Sequence, residues 1–352
     1  MVKGNKILVY GCSGFTAKLF LKRVGKSRQK DLILAGRTAA RVQGVADELG
    51  FAEILVFSLE EASQKSELDS VRLIINFAGP FAKTQSPLIQ ACIKHQCHYI
   101  DIAGEVDEMT RAYEFHDQAK KVGVQIMPGC GFGVVPTDLV AKAACEKLYR
   151  LSGNPKPSKL EIAYVVEGGA SRGTLSTVLP LVEKEGYRLE AGKLVKAMPA
   201  ESTLDFKVES KKFHGIYDPK RADIFTAGLS TGCPNVATYA VLPKIVVWMM
   251  QGWLLWLRNF LVNYALPYMP EGPSEKEMDR GWSCCSATAY GGEQQATVSL
   301  RGPEAYRFTA DCLREIIVRL VDKNEYVGGF STPSSYGVSI LDHINGVEWF
   351  DQ

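Results

Sequence analysis

The stretch Lys6–Ile7–Leu8–Val9–Tyr10–Gly11–Cys12–Ser13–Gly14–Phe15–Thr16–Ala17 decides the fold. Its opening residues form a short apolar run of the kind that makes a buried parallel strand, and the glycines after it open a helical segment. Gly11 to Ala17 is thus a G-x-x-G-x-x-A variant of the dinucleotide fingerprint. Glycine lets the backbone approach a pyrophosphate, and a helix N-terminus supplies unbonded N–H groups and the positive end of its dipole. Gly11, Cys12, Ser13, Gly14, Phe15 and Thr16 are therefore candidate pyrophosphate-binding residues, against the plainer reading of a tight strand–helix turn without ligand.

Outward from this loop, apolar runs continue at Asp31–Ala35, Glu53–Phe57, Val71–Asn76, His98–Ile102 and Val124–Met127. Helical-period segments such as Thr38–Leu49, Gln85–His95 and Val106–Val122 separate them. This alternation predicts an α/β fold with a Rossmann-type doubly wound parallel sheet and a ligand at the carboxyl ends of its strands. After the glycine-rich turn at 128–133 the pattern changes, and the Gly/Pro/Ser-rich stretch 152–158 reads as a domain boundary. Lys159–Val166 reads as a strand, Ser171–Glu185 as a helix, Ala287–Arg301 as a hairpin around Gly291–Gly292, and Pro303–Val321 as an amphipathic helix. The expected organisation is a nucleotide-binding domain over 1–150 and an α+β substrate or dimerisation domain with a partly antiparallel sheet over 151–302. Residues 303–352 are expected to form a C-terminal helical return packing on the first domain.

Composition agrees with two globular domains. The chain has 352 residues, against about 150 per domain. With 46% hydrophobic and 23% charged residues, it is neither extensively disordered nor many-spanning. A net charge of +2 and the lack of a basic, aromatic-interleaved groove argue against nucleic-acid binding. The nine cysteines show no CxxC pair and no Cys/His spacing, so no metal is expected, and they read as reduced thiols of a cytoplasmic protein.

The nucleotide follows from the end of the second strand. An NAD site places an acid there for the ribose 2′-hydroxyl, whereas this chain reads Ala35–Gly36–Arg37–Thr38 with Arg41 one helical turn on. A planar, always-charged guanidinium pairs with a 2′-phosphate, so Arg37 and Arg41 point to NADP. Ten basic residues against one acid over Met1–Arg41 agree with an anionic ligand.

Several blocks then resemble one family: 11–17, Ala35–Gly36–Arg37, Asn76–Phe77–Ala78–Gly79–Pro80–Phe81, Tyr99–Ile100–Asp101–Ile102–Ala103–Gly104–Glu105, Pro128–Gly129–Cys130–Gly131–Phe132 and Gly328–Gly329–Phe330–Ser331–Thr332–Pro333. In order and spacing they look like the saccharopine dehydrogenase-like oxidoreductases, which include the mycobacterial trans-acting enoyl reductases; Val166–Leu300 is the least similar part. The resemblance implies an NADP-binding Rossmann domain, a second domain, a C-terminal helical return and, for some members, membrane or lipid association. Ala17 stands where a third glycine is frequent, a small departure.

The resemblance supplies no settled catalytic acid. Ala78, Gly79, Pro80 and Phe81 follow the fourth strand, where the backbone of a doubly wound sheet lines the crevice on the nicotinamide side. Tyr99, Asp101 and Glu105 are candidates to orient substrate or donate a proton; for the two acids the capping of a following helix is an equal alternative.

Ile245–Val246–Val247–Trp248–Met249–Met250–Gln251–Gly252–Trp253–Leu254–Leu255–Trp256–Leu257 holds three of the five tryptophans and continues through Phe260–Tyr268. Its uncharged core spans ~20 Å as a helix, short of the roughly 30 Å hydrocarbon layer. Residues 245–268 read as a buried core or dimer helix, a headgroup-level membrane contact, or an acyl-chain channel. The expected function is NADP-dependent reduction of a hydrophobic, lipid-linked enoyl group by a homodimer, cytoplasmic or peripherally membrane-associated. Two alternatives are an imine reductase of saccharopine type and a non-catalytic lipid-surface protein retaining the fold.

Overall fold

A computed structural model describes residues 4–153 and 157–351. The middle of the expected boundary stretch, 154–156, lies outside them. The chain divides into two compact units, the first running to Gly133 and resuming over Tyr306–Tyr336.

The first unit opens with β1 (Lys6–Tyr10), α1 (Phe15–Arg28), β2 (Leu32–Gly36), α2 (Ala39–Leu49), β3 (Ile54–Val56) and β4 (Val71–Asn76). It continues with α3 (Phe81–His95), β5 (His98–Asp101), α4 (Val106–Tyr113), α5 (His116–Val122) and β6 (Gln125–Met127). Central strands are buried along nearly their whole length, as in a parallel sheet covered on both faces. Each crossover helix turns a matching apolar stripe inward; in α2 it is Val42, Val45 and Ala46, and the helix ends on left-handed Gly50. The expected single helix Val106–Val122 is two helices, because the backbone turns at Glu114–Phe115 and the ring of His116 accepts the N–H of Phe330 at 3.1 Å.

The second unit holds α6 (Val135–Ser152), β7 (Lys159–Glu167), α7 (Arg172–Val178), β8 (Gly186–Glu190), β9 (Lys193–Ala197), β10 (Thr203–Val208) and β11 (Lys211–Tyr217). Then come α8 (Asp223–Thr231), β12 (Val236–Ala240), α9 (Lys244–Met250), α10 (Leu255–Phe260), α11 (Glu275–Arg280), β13 (Trp282–Gly291) and β14 (Gln294–Pro303). α12 (Ala305–Ile317) leads the chain back to the first unit, where β15 (Gly329–Phe330) pairs parallel to β6, and β16 (Glu348–Asp351) ends the described chain.

The strand order in the first unit is β15-β6-β5-β4-β1-β2-β3, the doubly wound order with one strand added from the C-terminal segment. The order reverses between β1 and β4, which opens the crevice there. In the second unit the order is β10-β11-β12-β7-β13-β14-β16, with the β8–β9 hairpin attached at β12. Only the β7–β12 pair is parallel among the described strands of this sheet, and the β13–β14 hairpin turns at Gly292 as expected. The fold class is therefore as read from the sequence.

Three boundaries differ from expectation. α6 packs on β13 and β14, so the first unit ends at Gly133 and not at 150. β16 pairs antiparallel to β14, with Val298 opposite Asp351, so 337–352 belongs to the second unit while Tyr306–Tyr336 alone returns to the first. The helix expected over Ser171–Glu185 stops at Val178, where a tight Leu179–Leu181 turn containing Pro180 leads towards β8.

Candidate cofactor crevice

The crevice is built at the carboxyl ends of β1, β4 and β5, where Tyr10 lies opposite Asn76 and Asn76 opposite Asp101. Gly11 has φ +79°, and a Cβ there would lie 2.7 Å from the Ala78 nitrogen, so only glycine allows the first loop to meet the turn after β4. Gly14 caps α1 without a side-chain bond, and no acid occupies the first turn. Among the described residues the N–H groups of Phe15 and Thr16 meet no acceptor. A glycine cradle under the unpaired N-terminus of a 14-residue helix fits a dinucleotide pyrophosphate. Cys12 is buried inside this loop, and burial pushes its thiol up to about 11. It packs beneath the loop and presents no thiolate.

At the end of β2, Gly36 lets α2 approach: a Cβ there would stand 3.2 Å from Val42. Arg37 and Arg41 follow, both exposed, and neither forms a side-chain hydrogen bond or ion pair among the described residues. The Tyr10 hydroxyl donates to the Phe57 carbonyl at 3.3 Å. Burial raises its pKa, the Arg37 charge opposes that, and the Glu60 charge adds to it. Both charged groups thus lie within electrostatic reach of the end of β1.

The turn after β4 is held from beneath. Asn76 accepts from the Ala78 N–H at 2.9 Å and donates to Thr84 and Tyr99, each at 3.0 Å, while Thr84 donates to the Ala78 carbonyl at 2.6 Å. Tyr99 and Asp101 are 0% exposed, on the same face of β5. The Tyr99 hydroxyl donates to Asp101 Oδ2 at 2.8 Å, and Gln85 donates to the same oxygen at 2.9 Å. Oδ1 accepts from Ala103 N–H at 2.9 Å and Gly129 N–H at 3.0 Å. Burial pushes the Asp101 carboxyl up, and these donors pull it only part of the way back.

Glu105, the third sequence candidate, is half-buried at the start of α4 and accepts from the Gly104 N–H at 3.0 Å. One turn on, Glu108 is 8% exposed, its Oε2 has no partner among the described residues, and burial with the Glu105 charge pushes it up to about 7. Nothing in the sequence marked Glu108, because an acid in a first helical turn ordinarily serves the helix dipole.

The glycine turn at 128–133 is pinned by the C-terminal return. Phe132 N–H donates to Thr309 at 3.0 Å, and a Cβ on Gly131 would lie 2.8 Å from the Thr309 methyl. Arg23 of α1 pairs with Asp311 of α12 at 2.7 Å, fixing that helix against α1.

In the second unit α9 and the segment Leu255–Tyr268 bend by 99°, and among the described residues no single helix is long and apolar enough to cross a membrane. Met249 and Met250 pack on Val182 with Leu254, Leu257 and Leu261. The aromatics point the other way: Trp248, Trp256, Phe260 and Tyr264 are exposed, Trp253 to 78% and Tyr268 to 89%. Of the three readings of 245–268, the helix buried all round does not hold, because the segment is an amphipathic bent pair with an exposed aromatic side.

Residues 7–127 match the model of the saccharopine dehydrogenase NADP-binding domain. A trans-acting enoyl reductase of Mycobacterium ulcerans is 28% identical over 201 residues, 52% of this chain and 47% of that protein. One of Mycobacterium tuberculosis is 33% identical over 140 residues, 38% of this chain and 34% of that protein, so the match spans less than half of these relatives. Apo saccharopine dehydrogenase (L-Glu forming) of Saccharomyces cerevisiae shares the fold at a TM-score of 0.65 and 11% identity, covering 99% of this chain and 100% of that one. Homospermidine synthase of Legionella pneumophila, solved with NAD, also scores 0.65 at 11% identity, over 100% and 93%. The chain is saccharopine dehydrogenase-like in fold, and its residues 7–127 resemble the NADP-binding domain of that family.

Proposed function

We propose that the chain is an NADP-dependent oxidoreductase that reduces a hydrophobic, lipid-linked enoyl group. The observation that carries the cofactor is Arg37: an exposed guanidinium stands at the end of β2, seconded by Arg41, where an NAD site would hold an acid. Bound NADPH supplies the hydride. The 11–16 loop and the N-terminus of α1 hold the pyrophosphate, Arg37 and Arg41 the 2′-phosphate, and the 78–81 turn borders the nicotinamide half. Glu105 is the proton donor of this reading, because Tyr99 and Asp101 are closed off from solvent while Glu105 is not. The enoyl substrate rests on the names of the relatives.

Thermal-shift titration tests the cofactor first, since a ligand bound only by the folded state raises its stability. A shift with NADPH at concentrations where NADH gives little is expected, and Arg37→Ala should weaken NADPH about tenfold or more with NADH nearly unaffected. Equal losses for both nucleotides remove Arg37 from the role. NADPH oxidation is then screened with enoyl thioesters and with imines; turnover of imines alone transfers the reading to a saccharopine-type reductase.

The exposed aromatic face of 245–268 supports a second reading, contact with a lipid surface. Tryptophan and tyrosine suit the headgroup level, where the ring is sheltered and the N–H or O–H stays wet. Flotation with phosphatidylcholine vesicles is the expected result. A homodimer by light scattering that does not float assigns the face to a second copy of the chain.

A further inference from the structure

We propose that Tyr99 and Asp101 are positioning residues, whose buried hydrogen-bonded chain holds the turn after β4 and the turn after β6 in register around the nicotinamide half of the dinucleotide. This rests on the NADP reading above and adds to it a division of labour within the crevice.

The chain of bonds runs from one turn to the other without a gap. Both polar groups of Ala78 are tied, the N–H to Asn76 and the carbonyl to Thr84. Asn76 then donates to Tyr99, Tyr99 to Asp101, and Asp101 collects the N–H groups of Ala103 and Gly129. The Asp101 carbonyl adds the Cys130 N–H at 2.7 Å. Neither side chain retains a position for chemistry. Each Asp101 carboxylate oxygen already takes two donors, and the Tyr99 hydroxyl accepts from Asn76 while its proton goes to Asp101. Both residues are wholly buried, so a substrate atom cannot reach them without dismantling the bonds.

The adenylate half takes no hydrogen bond from this device, and the first loop meets it only where Gly11 packs on Ala78. Its contacts come from the first loop and from the end of β2, neither of which bonds to Tyr99 or Asp101 among the described residues. In a doubly wound sheet the dinucleotide straddles the switch point, with the adenosine on the β2 side and the nicotinamide on the β4–β5 side. Loosening the chain should therefore be felt by one half of the ligand only.

Tyr99→Phe keeps the ring and cuts the chain at its middle. By calorimetry the variant should bind NADPH about fivefold to tenfold more weakly, the loss of one or two buried hydrogen bonds. Adenosine 2′,5′-bisphosphate, which lacks the nicotinamide half, should bind as it does to the unaltered protein. Thr84→Val, which frees the Ala78 carbonyl from the other end, should show the same split and serves if Tyr99→Phe does not fold. Equal weakening of both ligands, or no change in either, overturns the assignment. Failure of the unaltered protein to bind either ligand overturns the NADP reading itself.

Discussion

Asp101 and Trp253 exchange the places their chemistry would suggest. The carboxylate in the first unit is 0% exposed, and the indole in the second is 78% exposed. Asp101 tolerates burial because four donors replace the water it loses, so its desolvation is largely, though not wholly, offset. The Trp253 indole has no comparable partner among the described residues, and its side of the bent pair stays open while the leucines and methionines on the other side close a small core. Polarity alone therefore does not assign depth; a polar group sinks where the backbone presents donors, and an apolar one in a turn surfaces where the helices on either side of it have already filled the inner face.

Asp101→Leu tests the first half of this contrast with the largest expected effect. The substitution strands the Tyr99 hydroxyl, the Gln85 amide and two backbone N–H groups inside the first unit, which should cost more than about 3 kcal/mol. Loss of the cooperative unfolding transition, or a midpoint lowered by many degrees, is the expected calorimetric result; a loss under about 1 kcal/mol would mean that these donors find water and that the carboxylate is no keystone.

Glu108 is the opposite case on the same side of the sheet, a buried acid whose Oε2 lacks a partner among the described residues. Its folded pKa lies above the unfolded value, at about 7, so the native state holds the extra proton. Stability from this group is fully present below the unfolded carboxylate range and falls as pH rises towards about 7. Glu108→Gln should remove that slope and stabilise the protein at pH 8 by up to about 3 kcal/mol. Parallel urea midpoints for the two proteins from pH 5 to about 8 would show instead that Glu108 ionises freely in the fold.

How far the sequence could be read follows from the same contrast. β1, β4 and the fingerprint loop were legible because strands buried on both faces read as unbroken apolar runs, and Gly11 sits where a positive φ and a 2.7 Å approach leave no other residue. Part of the second unit was legible in principle: Thr203–Val208 alternates polar and apolar residues with the period of a strand, and that signal would have found β10. β15 has two residues and carries no period at all. The clasp of Thr309 on the 128–133 turn is a meeting of residues far apart in sequence, and the burial of Glu108 is likewise tertiary. Tyr99 and Asp101 stand out in the sequence as catalytic candidates, yet only the donors around them favour the proposed positioning role over a catalytic one.

The smallest expected effect sharpens the other half of the comparison. Trp253→Asp places a charge where the structure has an exposed indole, so stability should change by no more than about 0.5 kcal/mol. NADPH binding should be unaltered, because the crevice lies in the first unit. Flotation with phosphatidylcholine vesicles should fall sharply, since a carboxylate at headgroup depth opposes what the ring favours. A stability loss of 2 kcal/mol or about that size would instead show that Trp253 is covered in solution, which only a second copy or a folded-back segment can do. The variant thus separates an open aromatic face from an interface by the one quantity, stability, that lipid contact leaves alone.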